Sequence, residues 1–226
     1  MILSEVVWLT SVMVGLAVAQ QTLEFLADRR VRWLVMPRLL PCVMMIAGVY
    51  QDWAVWMLFL YGIVLLHRFD GPYNGGSDKM TMLILACLSA YHLAPDPRWQ
   101  DTAMAYLALQ LVLSYFVSGY IKIIKGDWRR GEALQDVFRF SAYPVSENLR
   151  GWATRPKLLC LMSWAVMGFE VAFPLVLLHP YALYLGLLIA GAFHLANACL
   201  FGLNRFFWIW LCAYPSLIWF QDRIMV

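Results

Sequence analysis

The chain has 226 residues, of which 62% are hydrophobic and only 14% are charged, and its mean hydropathy is +0.66. A soluble domain is about 45–50% apolar and about 25% charged, so this composition excludes a soluble globular protein, a disordered chain and a nucleic-acid-binding protein. The formal net charge of +3 is small, so the positions of the charges matter more than their sum.

Apolar segments recur along the whole chain. A transmembrane helix needs about 20 mostly apolar residues, and three of the segments, 39–50, 53–67 and 80–94, are shorter than that. We therefore expect an all-α, polytopic helical membrane bundle with six to eight true spans, forming a single transmembrane domain over residues 1–226. The eight hydrophobic segments are 4–27, 39–50, 53–67, 80–94, 102–121, 158–178, 181–202 and 206–220.

The placement of Lys and Arg gives an expected orientation. On eight spans, 15 of the 17 Lys and Arg residues fall on one face of the membrane, and only Arg98 and Arg223 fall on the other. Positive charge collects on the cytoplasmic side. This predicts an integral membrane protein with both termini outside, an interfacial, amphipathic loop over 122–157 facing the cytoplasm, and the lipid bilayer as a partner. A catalytic or lipid-binding surface that collects cations is the alternative explanation of the bias.

Neither the cysteines nor the histidines indicate a metal site. The five cysteines all lie in apolar stretches, and none forms a C-x-x-C pair, so neither a disulfide framework nor a zinc site is predicted. The four histidines show no H-x-x-x-H spacing. We predict no metal cofactor.

A slanted polar stripe follows the fifth apolar segment. Gln110, Ser114, Ser118 and Lys122 are each four residues apart, which on a helix drifts by about 40° per step. The stripe therefore ends at an ammonium group. Gly119 lies beside it and allows another helix or a ligand to approach closely. Either these serines pack helices and Lys122 extends to the interface, or the stripe lines a functional site.

Two further apolar segments carry polar groups at membrane depth, where such groups are costly. Glu170 lies mid-span with Pro174 one turn on, so the carboxyl must be neutral, exposed to water or paired with a cation; Lys122 and the arginines are the candidates. Pro174 indicates a kink or an opened cavity. In the next segment, His194 and Asn197 lie on one helical face.

Two loops also have specific patterns. In the loop over 67–80, Asn74, Gly75 and Gly76 permit left-handed backbone, in which consecutive amides form an anion-accepting nest; an ordinary tight turn is the alternative. The loop over 119–136 places basic residues and Trp128 directly after the polar stripe, as an interfacial amphipathic helix would.

Three blocks of sequence together resemble the HTTM family of membrane domains, which is related to vitamin K-dependent gamma-carboxylase. The first runs from His67 and Arg68 to Asn74-Gly75-Gly76 and Asp78. The second is QLVLSYFVSGYIKIIKGDWRRGEAL, similar to the family's tyrosine-rich helix, S-G-x-x-K and W-x-x-G-x-A-L. The third comprises FEVAFP at 169–174 and FHLANACLFGLNRFFW at 193–208.

The resemblance, above all to the family's small bacterial-looking members, implies a quinone-linked chemistry in a bacterial inner membrane. In the carboxylase, a lysine activates a reduced quinone, and that lysine falls here on Lys122. Two departures weigh against carboxylation of protein glutamates: an additional Ser77 precedes Asp78, and the charge bias places the Lys122 loop in the cytoplasm, whereas the carboxylase acts on the lumenal side.

Two hypotheses follow. In the first, an integral membrane enzyme binds a quinone or hydroquinone, with a role in redox-linked modification or maturation of a peptide or protein partner. Lys122 is its acid/base, and Glu170, His194 and Asn197 line the cavity with Gln110 and Ser114. Ser118 and Gly119 shape it, while Asn74, Gly75, Gly76 and Trp128 close its mouth. In the second, the protein is a non-catalytic accessory subunit of a larger redox or export complex.

Overall fold

The computed structural model describes residues 1–68, 75–141 and 147–225, and over these residues the chain forms helices and no strand. Short 3-10 helices cover Met36–Arg38, Glu147–Thr154 and Phe173–Leu178. The α-helices are α1 (Leu3–Leu26), α2 (Arg32–Val35), α3 (Leu39–Ala47), α4 (Gln51–Arg68), α5 (Gly75–Leu93), α6 (Pro97–Ile124), α7 (Gly126–Arg129), α8 (Glu132–Phe140), α9 (Pro156–Ala172), α10 (Pro180–Phe201), α11 (Asn204–Leu211) and α12 (Tyr214–Ile224).

Fewer helices cross a membrane than the eight apolar segments suggest. Within the described ranges, four helices have the length and apolar composition of a span: α1, α6, α10, and α9 with its 3-10 extension to Leu178. The helical membrane fold is confirmed, and the expectation of six to eight spans is corrected to four by this criterion.

Local backbone chemistry explains why other apolar segments are not long helices. Helix α3 has only nine residues because Gly48, at φ 71°, ends it in a left-handed conformation that glycine adopts without strain. The segment expected over 206–220 is divided into α11 and α12. Pro215 lies in the first turn of α12, where its missing amide proton costs no helical hydrogen bond.

The chain divides into two compact units, residues 1–109 with 208–226 and residues 110–207. In the first unit, α1 packs closely on α3: a Cβ atom on Gly15 would lie 3.1 Å from the carbonyl oxygen of Cys42. A buried guanidinium, that of Arg38, donates to the Gln21 side chain at 2.9 Å. The N-terminal ammonium pairs with Asp222 on α12 at 3.2 Å.

The second unit contains the end of α6, the short helices α7 and α8, and the apolar pair α9 and α10. Pro174 changes the helix type: α9 passes into a 3-10 helix at Phe173, because proline removes a backbone donor. At the other end of α9, Phe138 of α8 packs against Leu159 and Phe201. Thus α8, the start of α9 and the end of α10 meet at one end of this unit.

Candidate functional site

A buried ion pair joins α6 to α9. The Lys122 Nζ lies 2.5 Å and 2.6 Å from the two Glu170 carboxylate oxygens. Ser118, one turn before Lys122, lies 2.9 Å from Nζ and 3.3 Å from the carboxylate. The Glu170 side chain is only 4% exposed and that of Lys122 is 16% exposed. Of the cations that could have neutralised Glu170, Lys122 is therefore the one that does.

A glycine brings the two helices close enough for this pair to form. A Cβ atom on Gly119 would lie 2.7 Å from the Glu170 Cβ and 2.8 Å from the backbone nitrogen of Val171. Both distances are below normal contact, so α6 and α9 touch backbone to backbone at this point. The small residue beside the polar stripe thus places Lys122 against Glu170.

Helix α7 covers the outer side of Lys122. The Trp128 ring centroid lies 5.2 Å from Nζ, within the range of a cation–π contact. Two α9 side chains hold the backbone that carries this ring. Ser163 donates to the Trp128 carbonyl at 2.6 Å, and the Trp164 indole donates to the Arg129 carbonyl at 3.1 Å. Trp128 is thereby fixed by the same helix that carries Glu170.

The turn after α7 also requires a glycine. Gly131 has φ 78°, and a Cβ there would lie 2.6 Å from the Cα of Cys160 on α9. Left-handed φ and close backbone contact both favour glycine. Gly131 therefore fixes the α7–α8 corner against the start of α9.

A second polar pair lies on the same face of α6. The Tyr115 hydroxyl and the His194 Nε2 are 2.8 Å apart, and the two residues are 2% and 3% exposed. Aromatic rings enclose the pair: Phe173 is 4.1 Å from the Tyr115 ring, centroid to centroid, and Phe206 is 6.3 Å from that of His194. Tyr115 thus holds the His194 ring by a hydrogen bond among aromatic side chains.

Two other residues predicted for the site, Ser114 and Asn197, make hydrogen bonds within or next to their own helices. The Ser114 hydroxyl donates to the Gln110 backbone carbonyl at 2.7 Å, so it is satisfied within α6. Asn197 lies half-buried near the end of α10, where its carbonyl accepts from the amides of Gly202 and Leu203. The described contacts therefore assign Ser114 and the Asn197 backbone to helix structure.

The glycine-rich loop is only partly described. Gly75 and Gly76 are the first residues of α5 and belong to the first unit; Asn74 lies outside the described residues. Within the described residues, glycines with left-handed φ are Gly48, Gly131 and Gly202. Gly75 and Gly76 have helical backbone at the start of α5; the anion-accepting nest, which also involves Asn74, stays a prediction.

Three residues that form contacts in the candidate site were not identified from sequence: Tyr115, Ser163 and Trp164. Tyr115 precedes Lys122 by seven residues, two helical turns, and its position on the stripe's face was the available signal. Ser163 and Trp164 carried no comparable signal, because their partners are backbone carbonyls 35 residues away in sequence.

The arrangement could support proton exchange at a buried amine. Hydrogen bonds between ionised partners are the strong ones, and Lys122, Glu170 and Ser118 can pass a proton over short distances. Within the described ranges, no group of three or more His, Cys, Asp or Glu side chains is arranged to hold a metal ion.

Comparison with known proteins identifies one family. A sequence model described as the HTTM domain matches residues 89–222, which includes the Lys122, Glu170 and His194 segments and leaves out the Asn74–Asp78 block. No curated protein and no solved structure matches the chain.

Proposed function

Because this chain belongs to the HTTM domain family, which is related to the membrane domain of vitamin K-dependent gamma-carboxylase, we propose that it is an integral membrane enzyme using Lys122 as an acid/base. Its ligand is a quinone or a similar lipid-soluble molecule. The observation that carries this proposal is the buried Lys122–Glu170 pair on apolar helices. Ionisable groups at membrane depth are costly and mark functional sites.

The residues around Lys122 suit a flat, carbonyl-bearing ligand. The Lys122 ammonium donates to Glu170 and Ser118, and the Ser118 hydroxyl donates to Glu170. A ligand carbonyl oxygen therefore binds by taking over one of these donors, next to the aromatic face of the Trp128 indole. Planar rings stack favourably on such a face. When bound, a quinone supplies two-electron redox chemistry at its carbonyl oxygens.

Glu170 controls the proton on Lys122. Transfer of one proton from Nζ to the adjacent carboxylate converts the ion pair into a neutral amine and a neutral acid, which removes two charges from apolar surroundings. The amine then has a lone pair and acts as a base; the reverse transfer restores the acid. The short contacts to both carboxylate oxygens support this exchange, and the low exposure of both side chains, with Trp128 beside the amine, keeps most water from it.

The Tyr115–His194 pair is a second proton-handling group in the same unit. A phenol bonded to an imidazole can hand over or receive a proton, depending on which nitrogen is protonated. We assign this pair the replacement of protons consumed at Lys122. The product in this proposal is a redox-linked modification or maturation of a peptide or protein partner.

The proposed setting is a bacterial inner membrane with the 122–157 segment on the cytoplasmic side. The excess of Lys and Arg in that segment supports this orientation.

Quinone binding by purified protein tests the proposal. A short-chain naphthoquinone is titrated into wild type, Lys122→Gln and Glu170→Gln in mild detergent, and the bound quinone is quantified by mass spectrometry after extraction. Lys79→Gln, which removes an exposed lysine on α5, is the matched control. Since a hydrogen bond to a charged group contributes about 1.5–3 kcal/mol, Lys122→Gln should weaken binding at least about tenfold, while the control binds as wild type does.

The outcomes separate the two functions. Equal quinone binding by wild type and Lys122→Gln contradicts the proposed site. If no variant retains quinone, a protein partner copurifies stoichiometrically, and substitution of Lys122 or Glu170 is tolerated, the accessory-subunit function is favoured instead.

A further inference from the structure

Cations in the second unit are confined to one end. Between Lys157 and Arg205 the chain carries no Lys or Arg, although it runs along α9 to the turn at His179 and back along α10. The basic side chains lie instead at the end of α6, along α7 and α8, and before α9. Because α6 and α9 are apolar spans, the segment between them lies where a membrane leaflet presents its headgroups.

Five of these cations form a set that we call the basic rim. All five side chains are exposed, and none forms an ion pair with a carboxylate in the described part of the chain. They differ in this from Arg130, which is paired with Asp127 and Glu132, and from Arg150, which is paired with Glu147. The basic rim comprises Lys125, Arg129, Arg139, Arg155 and Lys157.

Helix α8 presents the rim in the manner of an interfacial helix. On one side, Phe138 is buried and stacks on Trp152, with ring centroids 5.8 Å apart. Phe140 is 75% exposed, and Val137 and Arg139 of the same helix are exposed as well. An exposed aromatic ring beside an unpaired guanidinium matches a surface that inserts shallowly among lipids.

We propose that the basic rim binds the headgroups of anionic phospholipids in the leaflet at this end of α6, α9 and α10. The occupant follows from charge and position: the unpaired cations need anions, and the ends of spanning helices place lipid phosphates beside them. Phe140 inserts between acyl chains, and the long Lys and Arg stems reach the headgroup level. An acidic soluble peptide would neutralise the charge but would leave Phe140 exposed to water.

Photolabelling in nanodiscs tests this proposal. The full chain is placed in discs of three parts phosphatidylcholine to one part phosphatidylglycerol, and either lipid carries the same photoreactive acyl chain. Adducts on peptides from 125–141 and 147–157 are quantified by mass spectrometry. An anionic surface attracts each nearby basic residue enough for roughly a fivefold change in occupancy, so phosphatidylglycerol should label these peptides at least about fivefold more than phosphatidylcholine.

Charge variants locate the effect. A triple variant with Arg139→Gln, Arg155→Gln and Lys157→Gln should reduce the ratio of phosphatidylglycerol to phosphatidylcholine labelling to near one. Lys79→Gln with Arg98→Gln and Arg223→Gln removes the same charge from the other unit and should leave the preference unchanged. Arg139→Lys with Arg155→Lys and Lys157→Arg keeps the charge and should keep the labelling. The preference should also fall as salt is raised, since exposed charges are screened.

Three results would overturn the assignment. Equal labelling by the two lipids in wild type means that the rim does not select anionic headgroups. If the rim variant and its control lose the labelling preference for phosphatidylglycerol equally, the total charge of the protein sets that preference and the basic rim does not. Displacement of phosphatidylglycerol from these peptides by a soluble poly-glutamate peptide would assign the rim to an acidic polypeptide.

Discussion

Two sets of ion pairs, one at Lys122 and one at Arg130, have similar distances and very different exposure. Lys122 and Glu170 approach to 2.5 Å with little exposure, whereas Arg130 approaches Asp127 and Glu132 to 2.7 Å and 2.8 Å with all three side chains more than half exposed. An exposed ion pair contributes little net free energy, because each charge is nearly as well solvated by water. When a buried pair is broken, the remaining charge stays without water or a partner, which is strongly destabilising. Of these two sets, we therefore expect the similar geometry to matter for stability mainly at Lys122.

The largest expected effect comes from breaking the buried pair on one side. Lys122→Met leaves Glu170 with Ser118 and no cation, which should destabilise the protein by about 3–5 kcal/mol. The measurement is unfolding of the protein in mixed micelles by increasing fractions of a denaturing detergent. Lys122→Met with Glu170→Met removes both charges and should regain most of that loss, because an apolar pair of similar volume replaces a desolvated ion pair.

The double variant distinguishes stability from function. A stable double variant that binds no quinone shows that the pair is kept for chemistry. A double variant as unstable as the single one would show instead that these two side chains are required by the packing of α6 on α9.

A smaller effect is expected from separating the two helices. Gly119→Ala places a methyl group against the Glu170 Cβ and the Val171 backbone, and overpacking of this kind costs about 1–3 kcal/mol. Gly168→Ala is the matched control on α9, since a Cβ there meets nothing within 4 Å. It should be neutral or stabilising by up to about 1 kcal/mol, because alanine is the better helix former. Equal destabilisation by both variants would contradict the close approach at Gly119.

The smallest effect is expected at the exposed pairs. The hydrogen bond and positive charge of Arg130 lower the pKa of Glu132. A lowered folded-state pKa gives a stabilising contribution that is present at neutral pH and disappears as the pH falls through that lowered value. Arg130→Gln should return the Glu132 pKa to its ordinary range, as measured by NMR titration of the carboxyl carbon. The midpoint of unfolding should hardly change, and a loss comparable with that of Lys122→Met would refute the contrast between the two regions.

The sequence supports some predictions of this site better than others. The four-residue spacing along α6 and the position of Glu170 within an apolar helix are local patterns, so both members of the pair could be named. Their partnership could not be established, because it depends on the contact that Gly119 allows between helices 48 residues apart. The number of spans was overestimated because hydropathy does not register the end of α3 at Gly48 or the division of 206–220.

Composition by itself determined that this is a helical membrane protein, since 62% hydrophobic residues can be buried in a bilayer and not in a soluble core of this size. The motifs also indicated the family. Only the tertiary structure decided that Lys122 neutralises Glu170, that Tyr115 holds His194, and that Ser163 and Trp164 hold Trp128 over the amine. Those contacts join residues far apart in sequence, and they depend on helix crossings that periodicity cannot encode.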